Sequence, residues 1–199
     1  MNTTVNSRPR PFRLMALMAI LSITACAASG PTVHDRLDPL TGVTVTFVNS
    51  PLMLFRDNPA RAAYARNFLH LGPIQVNRGG SNRHYLWLGI WSTMERTDTT
   101  DYRSSFESII LFADGEPLSL ELAGWTPEAI NLSAPPYLKP VASTADGYYE
   151  VTADQIRLIA AAGDISLRTT GSSSGDYEMW DKQVAARHDL TEFARIATW

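Results

Sequence analysis

Residues 83–91 read RHYLWLGIW, and this stretch decides the fold that the sequence predicts. At the period of two that a β-strand imposes, one face presents Arg83, Tyr85, Trp87, Gly89 and Trp91. The other face presents a histidine followed by aliphatic side chains. Both faces are largely apolar, which is typical of a strand that is covered on both sides. We therefore expect a central strand within a sheet.

The segment that follows predicts a β-hairpin. Ile109–Phe112 is apolar, Asp114-Gly115 comes next, and leucines then alternate with other residues from Leu118 to Leu122. Asp-Gly readily adopts the two positive φ angles of a type I′ turn, whose twist matches that of paired antiparallel strands. Residues 108–122 are therefore expected to form two adjacent strands of the same sheet.

The segment that precedes the central strand is also rich in β-forming residues. Val43 to Val48 alternates apolar residues with threonine, and a short apolar run from Leu52 to Phe55 follows. Asn58-Pro59 can begin a short helix that ends near Arg66. Alternatively, residues 64–76 are mainly strand, interrupted at Gly72-Pro73.

The C-terminal third combines a proline-rich connection with helical patterns. Residues 125–147 contain four prolines and read as a long crossing connection. Thr152 and Gln155 form a capping box in front of a short amphipathic helix that ends at Gly163. Residues 165–170 then form a strand, and residues 177–198 show helical spacing at their apolar positions.

Together these patterns predict an α+β fold for residues 42–199. We expect a mainly antiparallel, twisted sheet of about six to eight strands, with helices packed on one face. The alternative is a β-sandwich with helical additions. No known family is suggested by this part of the chain.

The first 25 residues have the organisation of a bacterial export signal. Three arginines precede an apolar run from Leu14 to Ile23, which is about half the length that a spanning helix requires. Ile23-Thr24-Ala25-Cys26 then resembles the lipobox of bacterial lipoprotein precursors. The resemblance implies that residues 1–25 are removed, that Cys26 is acylated and binds the membrane, and that residues 26–41 form a tether. The resemblance also favours attachment at the periplasmic face of the outer membrane, because Ala27 follows the cysteine.

Charge argues against nucleic acid as a partner. Without the leader, fourteen basic residues stand against twenty acidic ones. The charges are uneven, since residues 27–103 carry a small positive excess and residues 104–199 carry most of the negative charge. This asymmetry reflects either two complementary halves of one body or a patch facing an anion. The patch would be built from Arg56, Arg61, Arg66, Arg78 and Arg83.

The sequence contains no convincing catalytic or metal-binding motif. The four histidines are widely separated, and neither a metal nor another cofactor is indicated. Residues 171–175 match the letters of a nucleophile elbow, but a run of serines between glycines is typical of a linker. The candidate ligand-binding residues are Arg83, Trp87 and Trp91, whose face forms a trough suited to a sugar ring. Alternatively, a helix covers this trough, either residues 153–162 or the C-terminal helix, and the indoles belong to the core.

These observations lead to three functional hypotheses. The first is a noncatalytic, lipid-anchored envelope lipoprotein that acts as an accessory or protein-interaction domain in the periplasm. The second is a binding module for a glycan or another anionic envelope ligand. The third is a hydrolase with a site near His84 or His188.

Overall fold

The computed structural model describes Met1 and residues 32–60, 62–94, 103–170 and 176–197. Antiparallel pairing connects all the strands in these ranges. The strands are β1 (Val33–Leu37), β2 (Thr44–Val48), β3 (Leu52–Asp57), β4 (Arg66–Arg78), β5 (Ser81–Ser92), β6 (Ser108–Ala113), β7 (Glu116–Gly124), β8 (Ala145–Val151), β9 (Ile165–Thr169) and β10 (Tyr177–Met179). The helices are α1 (Ala153–Ala161) and α2 (Val184–Ala197), with a 3-10 helix at Pro127–Ile130.

Eight of these strands close into a barrel. Around the sheet the order is β4, β3, β10, β9, β6, β7, β8 and β5, and β5 pairs with β4 again. β2 continues the sheet from β4, and β1 pairs with β2 as an extension outside the ring. The predicted antiparallel pairing is confirmed, but the predicted α+β sheet with helices packed on one face is wrong. Alternating residues look the same in open and closed sheets, so the sequence pattern did not reveal the closure.

β4 is long because it changes its neighbour partway along. Residues 66–71 pair with β3, whereas residues 74–77 pair with β2 along the same edge. Pro73 lies between the two pairings, where a missing backbone N–H removes no hydrogen bond on that edge. The strand is therefore continuous through Gly72-Pro73. Residues 58–65, apart from the undescribed position 61, form turns and irregular backbone, so the helix expected there is absent from the described residues.

The barrel interior is filled with apolar side chains. In β6, Ile109, Leu111 and Ala113 are buried and alternate with half-buried neighbours, which places this face inside. Residues that pair across neighbouring strands point to the same side of the sheet, so this face continues around the ring. Leu88 pairs with Leu71, and Leu69 pairs with Leu54. The inner core thus consists of alternate residues from each barrel strand.

The predicted hairpin and the predicted helix after the capping box are confirmed, whereas the segment expected to be helical at 177–198 begins as strand β10 and is helical only from Val184. Asp114 and Gly115 have φ angles of 50° and 85°, as the type I′ turn requires. Thr152 and Gln155 form both hydrogen bonds of the capping box at the start of α1. α1 and α2 pack on each other, and α2 also contacts β1, β2 and β4.

The connection between β7 and β8 forms a second apolar layer outside the barrel. Its residues Ile130, Leu132 and Tyr137 are buried. Tyr137 lies over Gly72, where a Cβ atom would collide with its ring, and it donates a hydrogen bond to the Pro73 carbonyl at 2.6 Å. The proline-rich segment therefore packs against the outer face of the sheet, where we had expected a helix.

The sheet begins earlier than the sequence indicated. β1 includes Val33–Leu37, which lies inside the tether expected at residues 26–41. The expected leader and Cys26 lie outside the described residues. Within the described ranges, none of the helices is long and apolar enough to cross a bilayer.

Candidate functional site

Arg83, Trp87 and Trp91 share the outer face of β5, but they do not form one site. Trp87 pairs across the sheet with Gly72 and Tyr148, and Trp91 pairs with Phe68. Arg83 and Trp91 are eight positions apart, which corresponds to about 27 Å along a strand. Each residue therefore has its own surroundings.

Trp87 belongs to the outer core. It is fully buried, and its ring stacks on Tyr137 with the centroids 4.8 Å apart. Its Nε1 donates a hydrogen bond to the Asp146 carboxylate at 3.0 Å, and Lys139 lies 2.9 Å from the other oxygen of that carboxylate. The expected trough is thus closed by the β7–β8 connection, and Trp87 presents no free face to a sugar.

Trp91 lies in an aromatic cluster at the other end of the strand. It stacks on Phe68 with the centroids 4.4 Å apart and the rings 18° from parallel, and it is half-buried. Its Nε1 and the Nε2 of neighbouring His70 are buried without a hydrogen-bond partner among the described residues. Burial also lowers the pKa of His70 below its usual range. This cluster packs mainly through ring contacts.

Arg83 lines a cavity of about 270 Å³ near the turn between β4 and β5. The register places Arg78 opposite Ser81 and Val76 opposite Arg83, so the two arginines are diagonal neighbours on the outer face. The residues around the cavity are Val43, Val76, Arg78, Ser81, Arg83, Tyr85 and Asn131. Two guanidinium groups therefore border a small space with an apolar floor.

The charges of this cavity favour an anion. A hydrogen bond to the Tyr85 side chain and the nearby carboxylate of Glu150 raise the pKa of Arg83. Within the described chain, neither Arg78 nor Arg83 forms an ion pair with a carboxylate. Guanidinium groups bind carboxylate and phosphate oxygens through paired hydrogen bonds, so both remain suited to an anionic ligand.

The β7–β8 connection also lines the cavity, through Asn131. Asn131 ends the 3-10 helix in the left-handed conformation, with φ of 61°, which asparagine tolerates well. Two residues later, Ser133 donates from its backbone N–H and its hydroxyl to the Asp38 carboxylate at 2.6 and 2.8 Å. Asp38 belongs to the β1–β2 turn, so this contact fixes the connection beside the two hairpins.

The other arginines of the expected patch lie elsewhere. Arg56 stacks over the Tyr177 ring, whereas Arg66 lies over Phe55 and forms an ion pair with Asp57. Arg61 lies outside the described residues. Of the four expected positions that the structure describes, Arg78 and Arg83 line the cavity.

The structure describes both histidines considered for a hydrolase site. His188 is largely exposed, and its Nδ1 lies 3.8 Å from Asp189, whose other carboxylate oxygen accepts a hydrogen bond from the Ser50 backbone. His84 is half-buried on the opposite face of β5 from Arg83. Within the described chain, no cluster of three metal-ligating side chains occurs. The serine-rich segment 171–175 lies outside the described residues.

Sequence reasoning identified both arginines of the cavity but did not pair them. The signal was present in Arg78-Gly79-Gly80-Ser81, because a two-residue turn between strands places flanking residues on one face. Asn131 carried no comparable signal, since it reaches the cavity only through the packing of a long connection. Neither family models, nor curated proteins, nor solved structures give a match to this chain.

Proposed function

We propose that this protein is a noncatalytic, lipid-anchored domain of the bacterial cell envelope that binds a small anionic ligand between Arg78 and Arg83. In this proposal, acyl chains on Cys26 hold it at the outer membrane, on the periplasmic side. The observation that carries the binding role is the cavity itself, where two arginines without carboxylate ion pairs in the described chain face a common space.

The size and lining of the cavity support a compact ligand. About 270 Å³ is close to the lower end of ligand pockets, which suits a phosphate or carboxylate with a few attached carbons. Ser81 and Asn131 can add neutral hydrogen bonds, and Val43 and Val76 can contact an apolar portion. The glycan alternative loses its stacking surface because Trp87 is buried.

Ligand titration tests the binding role. The strands and core residues that the structure describes lie at residue 32 or beyond, so residues 27–199 retain this folded unit without Cys26. Calorimetry would compare inorganic phosphate, glycerol phosphate and acetate. We expect phosphate compounds to bind, and Arg78→Ala with Arg83→Ala to weaken binding by about tenfold or more for each arginine.

The matched control removes the same charge elsewhere. Arg103 and Arg168 are exposed and do not line the cavity, and Arg168 pairs with Asp176, so their double replacement by alanine should leave phosphate affinity unchanged. If none of the anions binds, or if the control variant loses as much affinity as the cavity variant, the proposed binding role is wrong.

Membrane fractionation tests the anchor. In a bacterial host, Cys26→Ser should abolish incorporation of labelled fatty acid and release the protein from the membrane fraction, since acyl chains provide the attachment. A Ser29→Ala variant, which preserves the cysteine, should fractionate like the wild type. Unchanged lipid labelling of Cys26→Ser would rule out the anchor.

A further inference from the structure

Two exposed leucines lie at the tip of the hairpin beside the cavity. Leu37 ends β1 with 64% of its surface exposed, and Leu40 lies in the turn with 83% exposed. Aliphatic side chains this exposed gain nothing from the core of the domain. They mark the tip as a surface that can enter an apolar or interfacial environment.

The tip is held rigidly by Asp38. This carboxylate accepts hydrogen bonds from the backbone N–H groups of Leu40 and Thr41, and the Asp38 N–H donates to the Val43 carbonyl at 2.8 Å. Gly42, with φ of 69°, completes the turn by donating to the Asp38 carbonyl. Leu40 is therefore displayed by an ordered turn.

The same end of the sheet carries the two cavity arginines. Thr44 pairs with Asn77, so the β1–β2 turn lies beside the β4–β5 turn that separates Arg78 from Arg83. Val43 lies at the end of this turn and also lines the cavity. Leu37 belongs to the cross-strand row of Thr44 and Asn77, on the opposite face of the sheet from Arg78 and Arg83, so we call Leu40, Arg78 and Arg83 the tip surface. It combines an exposed aliphatic side chain with cations at the same end of the sheet, which is the chemistry of peripheral binding to an anionic bilayer.

We propose that the tip surface binds an anionic membrane, with Leu40 in the interfacial region and a lipid headgroup phosphate between Arg78 and Arg83. This inference rests on the proposed function, because it names the ligand of the same cavity. It does not require the acyl anchor. Membrane binding by the tip surface and attachment through the acyl anchor are compatible in length, since residues 27–32 reach about 20 Å when extended and β1 spans about 17 Å.

Vesicle sedimentation tests this inference with residues 27–199. We expect binding to vesicles of phosphatidylglycerol and phosphatidylethanolamine, weak binding to phosphatidylcholine alone, and weakening at high salt. Arg78→Ala with Arg83→Ala should reduce the partition constant about 20-fold to 30-fold, since each basic residue near the surface contributes about fivefold. Leu40→Ser should reduce it about threefold to tenfold through lost apolar contact.

Two controls match these variants. Tyr64 is 92% exposed in the β3–β4 connection, at the opposite end of β4, and Tyr64→Ser should bind vesicles like the wild type. Arg103→Ala with Arg168→Ala should retain most of the vesicle affinity despite losing the same charge. Circular dichroism on each variant should show an unchanged fold, because all these side chains are exposed.

The outcomes separate the inference from the function on which it rests. Binding of inorganic phosphate without binding to phosphatidylglycerol vesicles overturns the membrane inference and leaves the anion site standing. Equal binding of Leu40→Ser and wild type also overturns it. If neither phosphate nor vesicles bind, both proposals are wrong.

Discussion

The side-chain amide of Gln183 hydrogen-bonds to the backbone of Met53 and thereby continues the pairing between β10 and β3. Its Oε1 accepts from the Met53 N–H at 2.6 Å, and its Nε2 donates to the Met53 carbonyl at 2.7 Å. β10 pairs with β3 through only Glu178–Phe55 and Met179–Leu54, so the amide lengthens a short ladder. The backbone N–H of Trp180 also donates to the Met53 carbonyl, so the ring is closed by backbone pairing together with one side chain beyond the last strand.

Replacing Gln183 should weaken the pairing between β10 and β3. Gln183→Ala removes the acceptor of the Met53 N–H, whereas the Met53 carbonyl keeps the hydrogen bond from the Trp180 N–H at 2.9 Å, and we expect a loss of about 1–2 kcal/mol in the free energy of unfolding. Urea denaturation measures it. The neighbouring variant Lys182→Ala should change stability by less than about 0.5 kcal/mol, since Lys182 is exposed. Equal stability of the two variants would contradict the role of the amide.

Trp87 and Trp91 should respond differently to the same substitution. Trp87→Phe removes the donor to the buried Asp146 carboxylate and shrinks a fully buried side chain, so we expect a loss of about 2–4 kcal/mol. Trp91→Phe keeps a ring for Phe68 and loses an unpartnered N–H, so its cost should stay below about 1 kcal/mol. Iodide quenching checks the burial, because emission lost in Trp87→Phe should be protected from the quencher.

Gly72 should be intolerant of a side chain. A Cβ atom there would overlap the Tyr137 ring, so Gly72→Ala should destabilise the protein by about 1–3 kcal/mol through displacement of the β7–β8 connection. Combining it with Tyr137→Leu removes the obstructing ring. The double variant should then lose less stability than the sum of the two single variants, as a double-mutant cycle measures. Additive losses would show that Tyr137 is not the obstacle.

Stability should fall at acidic pH partly because of Asp38. Hydrogen bonds from Ser133, Leu40 and Thr41 outweigh the effect of burial and lower the pKa of Asp38 to about 2, below its ordinary value near 3.8. A carboxyl group whose pKa is depressed on folding stabilises the fold above the unfolded value, and this contribution disappears as pH falls through the folded value.

The Asp38→Asn variant isolates this contribution. Its melting temperature should lie several degrees below that of the wild type at pH 6, and the gap should narrow between about pH 4 and pH 2. Hydrogen bonds also depress the pKa of Asp114 and Asp176, so both proteins should lose some stability in acid. A gap that stays constant over this range would contradict the assignment to Asp38.

Local elements were determined by the sequence itself. The Asp114-Gly115 turn, the capping box at Thr152 and the strand at residues 83–91 depend on φ preferences, side-chain hydrogen bonds and periodicity within a few residues. The residues that specify each of these elements are close neighbours in the sequence. These elements therefore appear in the structure as predicted.

The closure of the sheet, the cover over Trp87 and the cavity were decided only by tertiary structure. Pairing of β4 with β5 and of β10 with β3 joins the ends of the ring, and a period of two cannot distinguish an open from a closed sheet. Tyr137 reaches Trp87 across fifty residues, and Asn131 lines the same cavity as Arg83. Such contacts depend on how a long connection packs, which residue type and local spacing leave undetermined.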